Sequence, residues 1–214
     1  MTPKTISTVV TPAASYDLTT IDIIKDELSI SDGSKDITLK RYLSWASLAL
    51  SQACNRIFPV ETVTDEVWPE PSTWSLPSAM EIFQLSRWPL VAGSVSSVLE
   101  NGIALVDGTD YRVDYARGQL IRLDINGRLR HWAALPLAAT FGGGFAAIPG
   151  DLADAVTRMT RNRFRSKGRD SYLMSENIPG VRDARWWIAT GNEAGNVPPD
   201  VEDLIENYRV PVIA

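Results

Sequence analysis

Between Pro136 and Arg169 the chain reads PLAATFGGGFAAIPGDLADAVTRMTRNRFRSKGR. This stretch changes its periodicity from two to three-and-a-half within a few residues. Leu137 to Phe141 alternates as a strand does, and Gly142, Gly143 and Gly144 form a hinge where backbone sterics are relaxed. Pro149 or Gly150 then opens a helix, with Asp151 and Asp154 suited to the positive end of its dipole. Leu152, Ala155, Val156 and Met159 recur at helical spacing and define a buried face. Arg158, Arg161 and Arg165 fall on a different face, and Lys167 and Arg169 continue the charge. A chain carrying this switch must combine strands and helices.

The segments on either side follow from it. Residues 1–16, with Pro3 and Pro12, read as an extended arm. Thr19 caps a short helix whose apolar face is Ile21, Ile24 and Leu28. A longer helix is predicted from Asp36 to Arg56, with Leu39, Leu43, Ala46, Leu50, Ala53, Cys54 and Ile57 as its stripe. Thereafter the period becomes two. Strands are expected around Thr62–Val67 and over 79–85, with the proline-rich PEPST loop at 69–73 between them. In SVSSVLENGIALVDGTDYRVDY the pair Asn101-Gly102 demands a type I′ hairpin turn, because both positions take positive φ. Further turns fall at Asp107-Gly108, Ala116-Arg117-Gly118 and Asn126-Gly127. The predicted class is therefore α+β: a small helical bundle (17–58 and 142–168) with an inserted antiparallel β-hairpin unit (59–141) and an extended C-terminal tail (169–214). In that tail PPDVEDLIENY is helical, with Val201, Leu204 and Tyr208 on one face, and its charges are acidic.

Chemistry is sparse. One histidine, His131, and one cysteine, Cys54, leave no zinc set, and neither sits in a nucleophile–base pattern. Cys54 lies in an apolar helical stripe, where a buried inert thiol is expected. The FGGGF run lacks the GK[ST] of a phosphate loop and the spacing of a dinucleotide site. Asp107, Asp110 and Asp124 stand at hairpin ends, where aspartate serves turns. The expectation is no catalytic residue, no metal and no cofactor. The chain has no run long enough for a membrane-spanning helix, and MTPKTISTVVTPAA is not expected to act as a signal peptide. Its net charge of −5 argues against nonspecific nucleic-acid binding. What remains is the basic helix face, readable as solvated surface, nucleic-acid contact or protein interface, with the acidic C-terminal helix as its electrostatic complement. Seven tryptophans, among them Trp186 and Trp187, suit either cores or interface anchors.

Several pieces taken in order carry a resemblance. They are DLTTIDIIKDELSI, a second helix ending SQACNRIF, the central RWPLVAGSVSSVLENGIALVDGTDYRVDYARGQLIRL, the LPLAATFGGGFAAIPGDLADAV junction, and a closing YRV. Together they resemble the head–tail connector (adaptor) proteins of long-tailed bacteriophages and related gene transfer agents. The resemblance implies a non-enzymatic structural protein of the virion neck, assembled in the host cytoplasm. It implies a dodecameric ring of copies beneath the portal protein, continuing the DNA channel toward the next neck or tail-completion protein. DNA would pass without specific binding, and an acidic lining would repel its phosphates. Arg158, Arg161, Arg165, Lys167, Arg169, Trp186, Trp187, Leu204 and Tyr208 would then meet a neighbouring subunit or the portal, with the tail from Ser171 onward poorly packed until bound. The competing readings are a monomeric ligand- or carbohydrate-binding β module using exposed Trp, and a small hydrolase centred on His131.

Overall fold

In the stretch Glu61–Trp68 every second residue points inward, and two of the four inward residues are carboxylates: Glu61, Val63, Asp65 and Val67 are all buried. The computed structural model describes residues 4–68, 80–133, 135–168, 175–178, 182–185 and 197–210. The expectations placed on PEPST, Arg169, Trp186 and Trp187 lie outside these residues. The chain divides into two units, one formed by 1–15 and 59–147, the other by 16–58 and 148–214.

The first unit is built of antiparallel strands: β1 (Lys4–Thr11), β2 (Glu61–Trp68), β3 (Ile82–Gln84), β4 (Ser97–Glu100), β5 (Ile103–Ala104), β6 (Tyr111–Asp114), β7 (Gln119–Arg122) and β8 (Leu137–Gly143). A five-stranded sheet has the order β1-β2-β8-β4-β5, and a three-stranded sheet the order β3-β7-β6. Their inward residues share one core, in which Phe83, Leu120, Trp132, Leu137 and Phe141 are the large members. Trp132 meets Phe83 edge-on, with ring centroids 6.2 Å apart.

Asn101 and Gly102 join β4 to β5 with φ of 51° and 77°, as a type I′ turn requires. The N-terminal arm is corrected by the structure: residues 4–11 form an edge strand paired along β2. Residues 5–11 are exposed on both faces, so no apolar alternation marks a strand there.

The glycine hinge is corrected too. Strand β8 runs through Gly142 and Gly143, and the turn falls at Gly144, whose φ is 125°. Gly143 is needed for close approach, since a Cβ there would lie 2.4 Å from the Cβ of Arg87.

The second unit holds helices α1 (Ile21–Glu27), α2 (Asp36–Ala53), α3 (Gly150–Arg165) and α4 (Pro199–Ile205), and a hairpin of β9 (Ser175–Ile178) with β10 (Arg182–Arg185). Among the described residues the class is α+β, as the alternating periods require. Thr20, not Thr19, caps α1: its backbone is extended and its Oγ1 accepts from the Ile23 amide at 3.4 Å. Helix α2 stops short of Arg56 because Asn55 takes the left-handed conformation, with φ of 49°. Leu39, Leu43, Ala46, Leu50 and Cys54 are buried along it as their spacing predicts.

Helix α3 buries Leu152, Ala155, Val156 and Met159, the face read from the sequence. It packs against α1, α2 and α4. Residues 197–210 therefore depart from the expectation of a loosely packed tail. Val197, Val201 and Ile205 are buried, and the Val210 amide donates to the Cys54 carbonyl at 3.0 Å. Apolar spacing predicts this helix's inward face at Val201, Leu204 and Tyr208; Val201 and Ile205 are fully withdrawn from water, whereas Leu204 and Tyr208 are half-buried.

Candidate functional site

The basic face of α3 is the feature that the sequence singles out, and the structure sorts its members. Arg158 donates to Asp154 one turn earlier at 2.7 Å, and that carboxylate raises its guanidinium above its ordinary value. Arg161 donates to Glu27 of α1, also at 2.7 Å. Both are half-buried and engaged within their own chain, so neither is the open contact that its spacing alone suggests. Arg165 and Lys167 are exposed and, among the described residues, have no carboxylate partner. Leu204 is half-buried against its own unit. Tyr208, likewise half-buried, stacks edge-on against Phe58 at 6.1 Å and donates from its hydroxyl to Asp151 at 3.3 Å. Burial, then the Asp151 charge, raises the pKa of that phenol.

A further arginine of α3 lies on a different side of the helix from Arg158, Arg161 and Arg165. Arg163 lies over the Trp45 ring at 4.1 Å and over the Tyr42 ring at 5.4 Å. Arg41 lies over the same Tyr42 ring at 5.3 Å. Trp45 and Tyr42 are three residues apart on α2, so one helix face presents both rings to α3. The sequence signal for it is the TRNRFR run itself, in which Arg163 stands between Arg161 and Arg165.

The buried carboxylates hold the first unit together. Asp65 accepts from the Ser86 amide at 2.6 Å and its hydroxyl at 2.7 Å, and Glu61 accepts from Arg87 at 3.4 Å. Glu100 accepts from Arg122 at 3.0 Å and from the Ala133 amide at 2.6 Å. These are satisfied structural groups, anchored to the strand edges and loops around them.

His131 is exposed at the rim of a groove of about 250 Å³, lined also by Glu81, Ile82, Ile121, Leu129 and Arg130. Cys54 is buried, and burial pushes its thiol up to about 11, which keeps it protonated and unreactive at neutral pH. Among the described residues no group of three or more His, Cys, Asp and Glu side chains could hold a metal. No helix there is long and apolar enough to cross a membrane. Trp68, 44% exposed, is the one exposed indole among the described residues, with Trp45 and Trp88 half-buried.

No family model matches the chain. No curated protein matches it by sequence. Solved structures do match it along its length. A chain from the neck of an empty gene transfer agent particle, computed with C6 symmetry, superposes with a TM-score of 0.56 at 17% identity, covering 98% of this chain and 97% of that one. A chain from the neck of the native particle, computed with C12 symmetry, gives 0.53 at 17% identity over the same shares. A chain of the native virion gives 0.55 at 16% identity. The fold of this chain is thus that of components of the gene transfer agent neck.

Proposed function

We propose that this chain is a structural, non-catalytic neck protein of a phage-like particle, a head–tail connector whose copies form a ring between the portal of the head and the tail. The single observation that carries the reading is a fold shared end to end, both units included, with neck chains of gene transfer agents. Symmetry of order twelve and six in those necks supports a ring of copies, twelve in its full form. The ordered sequence pieces described above lead to the same family independently of the fold.

The remaining parts of the proposal follow from that role. The ring sits in the virion neck, meets the portal on one side and the next neck or tail-completion protein on the other, and lets DNA through without binding it specifically. A net charge of −5 suits a channel that must not hold phosphate. Exposed Arg165 and Lys167, with Arg169, Trp186 and Trp187 beyond them in sequence, are the surface proposed for the portal or the neighbouring copy.

Mass photometry of the full chain with its portal tests this. A complex of ring size, with twelve copies of this chain on each portal, is expected. Monomers that leave the portal unoccupied at micromolar concentration would overturn it.

A further inference from the structure

We propose that the array formed by Arg41, Tyr42, Arg163 and Trp45 docks the acidic outer face of α4 from a second copy of the chain. The inference rests on the ring reading and names the contact that would close the ring.

Four observations lead to it. First, Arg41 and Arg163 both stack on the Tyr42 ring, which brings two like charges together. Among the described residues neither guanidinium has a carboxylate within salt-bridge distance, unlike Arg158 and Arg161 of α3. Two unneutralised guanidinium groups converging on one ring repel each other, and an anionic partner relieves that repulsion.

Second, Arg163 lies over the Trp45 ring at 4.1 Å, a cation–π contact that holds the guanidinium in place. A guanidinium carries five N–H donors, and a ring face leaves its N–H edges for other partners. Those edges suit carboxylates, which they grip with two hydrogen bonds at little further entropic cost.

Third, the chain carries a matching anionic surface. Asp200, Asp203 and Glu206 succeed one another at spacings of three along α4 and its final turn, and all are exposed. Among the described residues none of the three is in an ion pair, whereas Glu202 is taken by Arg209.

Fourth, the two surfaces do not neutralise each other within one copy: among the described residues no ion pair joins Arg41 or Arg163 to Asp200, Asp203 or Glu206. A basic surface and an acidic one at different places on the same protomer make a head-to-tail contact, the kind that generates rings. Charge complementarity with a second copy, in a chain that is acidic overall, favours this occupant over a nucleic acid.

Charge reversal in the full-length protein tests the contact. Arg41→Glu/Arg163→Glu sets acid against acid, and Asp203→Arg/Glu206→Arg sets base against base. In an equimolar mixture the two variants can alternate, and every contact between unlike copies is opposite in sign again. Sedimentation velocity at low and high salt should show association of the wild type that weakens with salt. Each variant alone should associate roughly tenfold more weakly, and the mixture should regain the wild-type behaviour.

The milder Arg41→Gln/Arg163→Gln, with helix content checked by circular dichroism, serves if the reversals disturb folding; it too should weaken association. Variants that assemble as well as the wild type, or a mixture that does not recover, overturn the contact and leave the ring reading standing. A wild type that stays monomeric throughout also overturns it, while particle imaging still decides the neck role. Loss of oligothymidylate binding with association unchanged would assign the array to nucleic acid instead.

Discussion

Removing Glu100 should unsettle the first unit more than any exposed ion pair could. Both partners of the Glu100–Arg122 pair are buried, with 8% and 9% of their side chains exposed, and they link β4 of one sheet to β7 of the other. Glu100→Ala leaves the Arg122 charge buried with only Asp110, at 3.5 Å, as a carboxylate neighbour. It also strips the Ala133 amide of its acceptor. Breaking a buried pair from one side costs about 3–5 kcal/mol. The remaining Asp110 contact, and the Arg122 hydrogen bonds to the Asp110 and Leu123 carbonyls, place this case near 3 kcal/mol. That is a large share of the roughly 5–15 kcal/mol by which domains are stable. Arg122→Met should cost a similar amount. Glu100→Ala/Arg122→Met removes both charges and should cost less than the sum, giving a coupling energy of about 2 kcal/mol. Hydrogen exchange on peptides from β4 and β7, measured for all four proteins, reports these local stabilities. A coupling below about 0.5 kcal/mol, the value of an exposed pair, would refute the reasoning.

Other consequences follow from single positions. Ile205→Ala removes a fully buried side chain from α4 and should cost roughly 2–4 kcal/mol in urea denaturation; an effect within error would return this helix to the status of a loose tail. Gly143→Ala forces a Cβ to within 2.4 Å of Arg87 and should destabilise by roughly 1–3 kcal/mol. Gly150→Ala meets open space at the start of α3 and should stabilise by roughly 0.4–1 kcal/mol, so thermal melts of the two should move in opposite directions. Cys54 should resist a thiol reagent at pH 8 in the native protein and react at once in urea. Its folded pKa is raised from 9.0 to about 11, so the unfolded chain ionises first. The protonated thiol's contribution to stability is full below pH 9 and is lost as pH rises toward 11.

How far the sequence leads depends on whether the governing contact is local. Asn101-Gly102 announces its turn because the two φ values are a property of those residues. The buried face of α3 is equally legible, since Leu152, Ala155, Val156 and Met159 lie within two turns of one helix. The neutralised state of Arg158 was visible in Asp154, four residues earlier, but that of Arg161 was not, because Glu27 lies 134 residues away. Strand β1 hides for a similar reason: it is held by backbone pairing with a distant strand and buries no side chain that would mark its phase. Inward Asp65 contradicts the ordinary polar-outward alternation of a sheet, and only the Ser86 amide and hydroxyl, 21 residues on, make its burial tolerable. The stacking of Arg163 on Trp45 depends on how α3 crosses α2, which no periodicity specifies.

The most direct measurement of the central claim is cryo-electron microscopy of the intact particle's neck, compared with particles assembled without this chain. The account predicts a ring of density between portal and tail into which both units of the chain fit, twelve copies around the DNA channel, and its loss, together with tail attachment, when the chain is omitted. Tailed particles with an unchanged neck in its absence would contradict it.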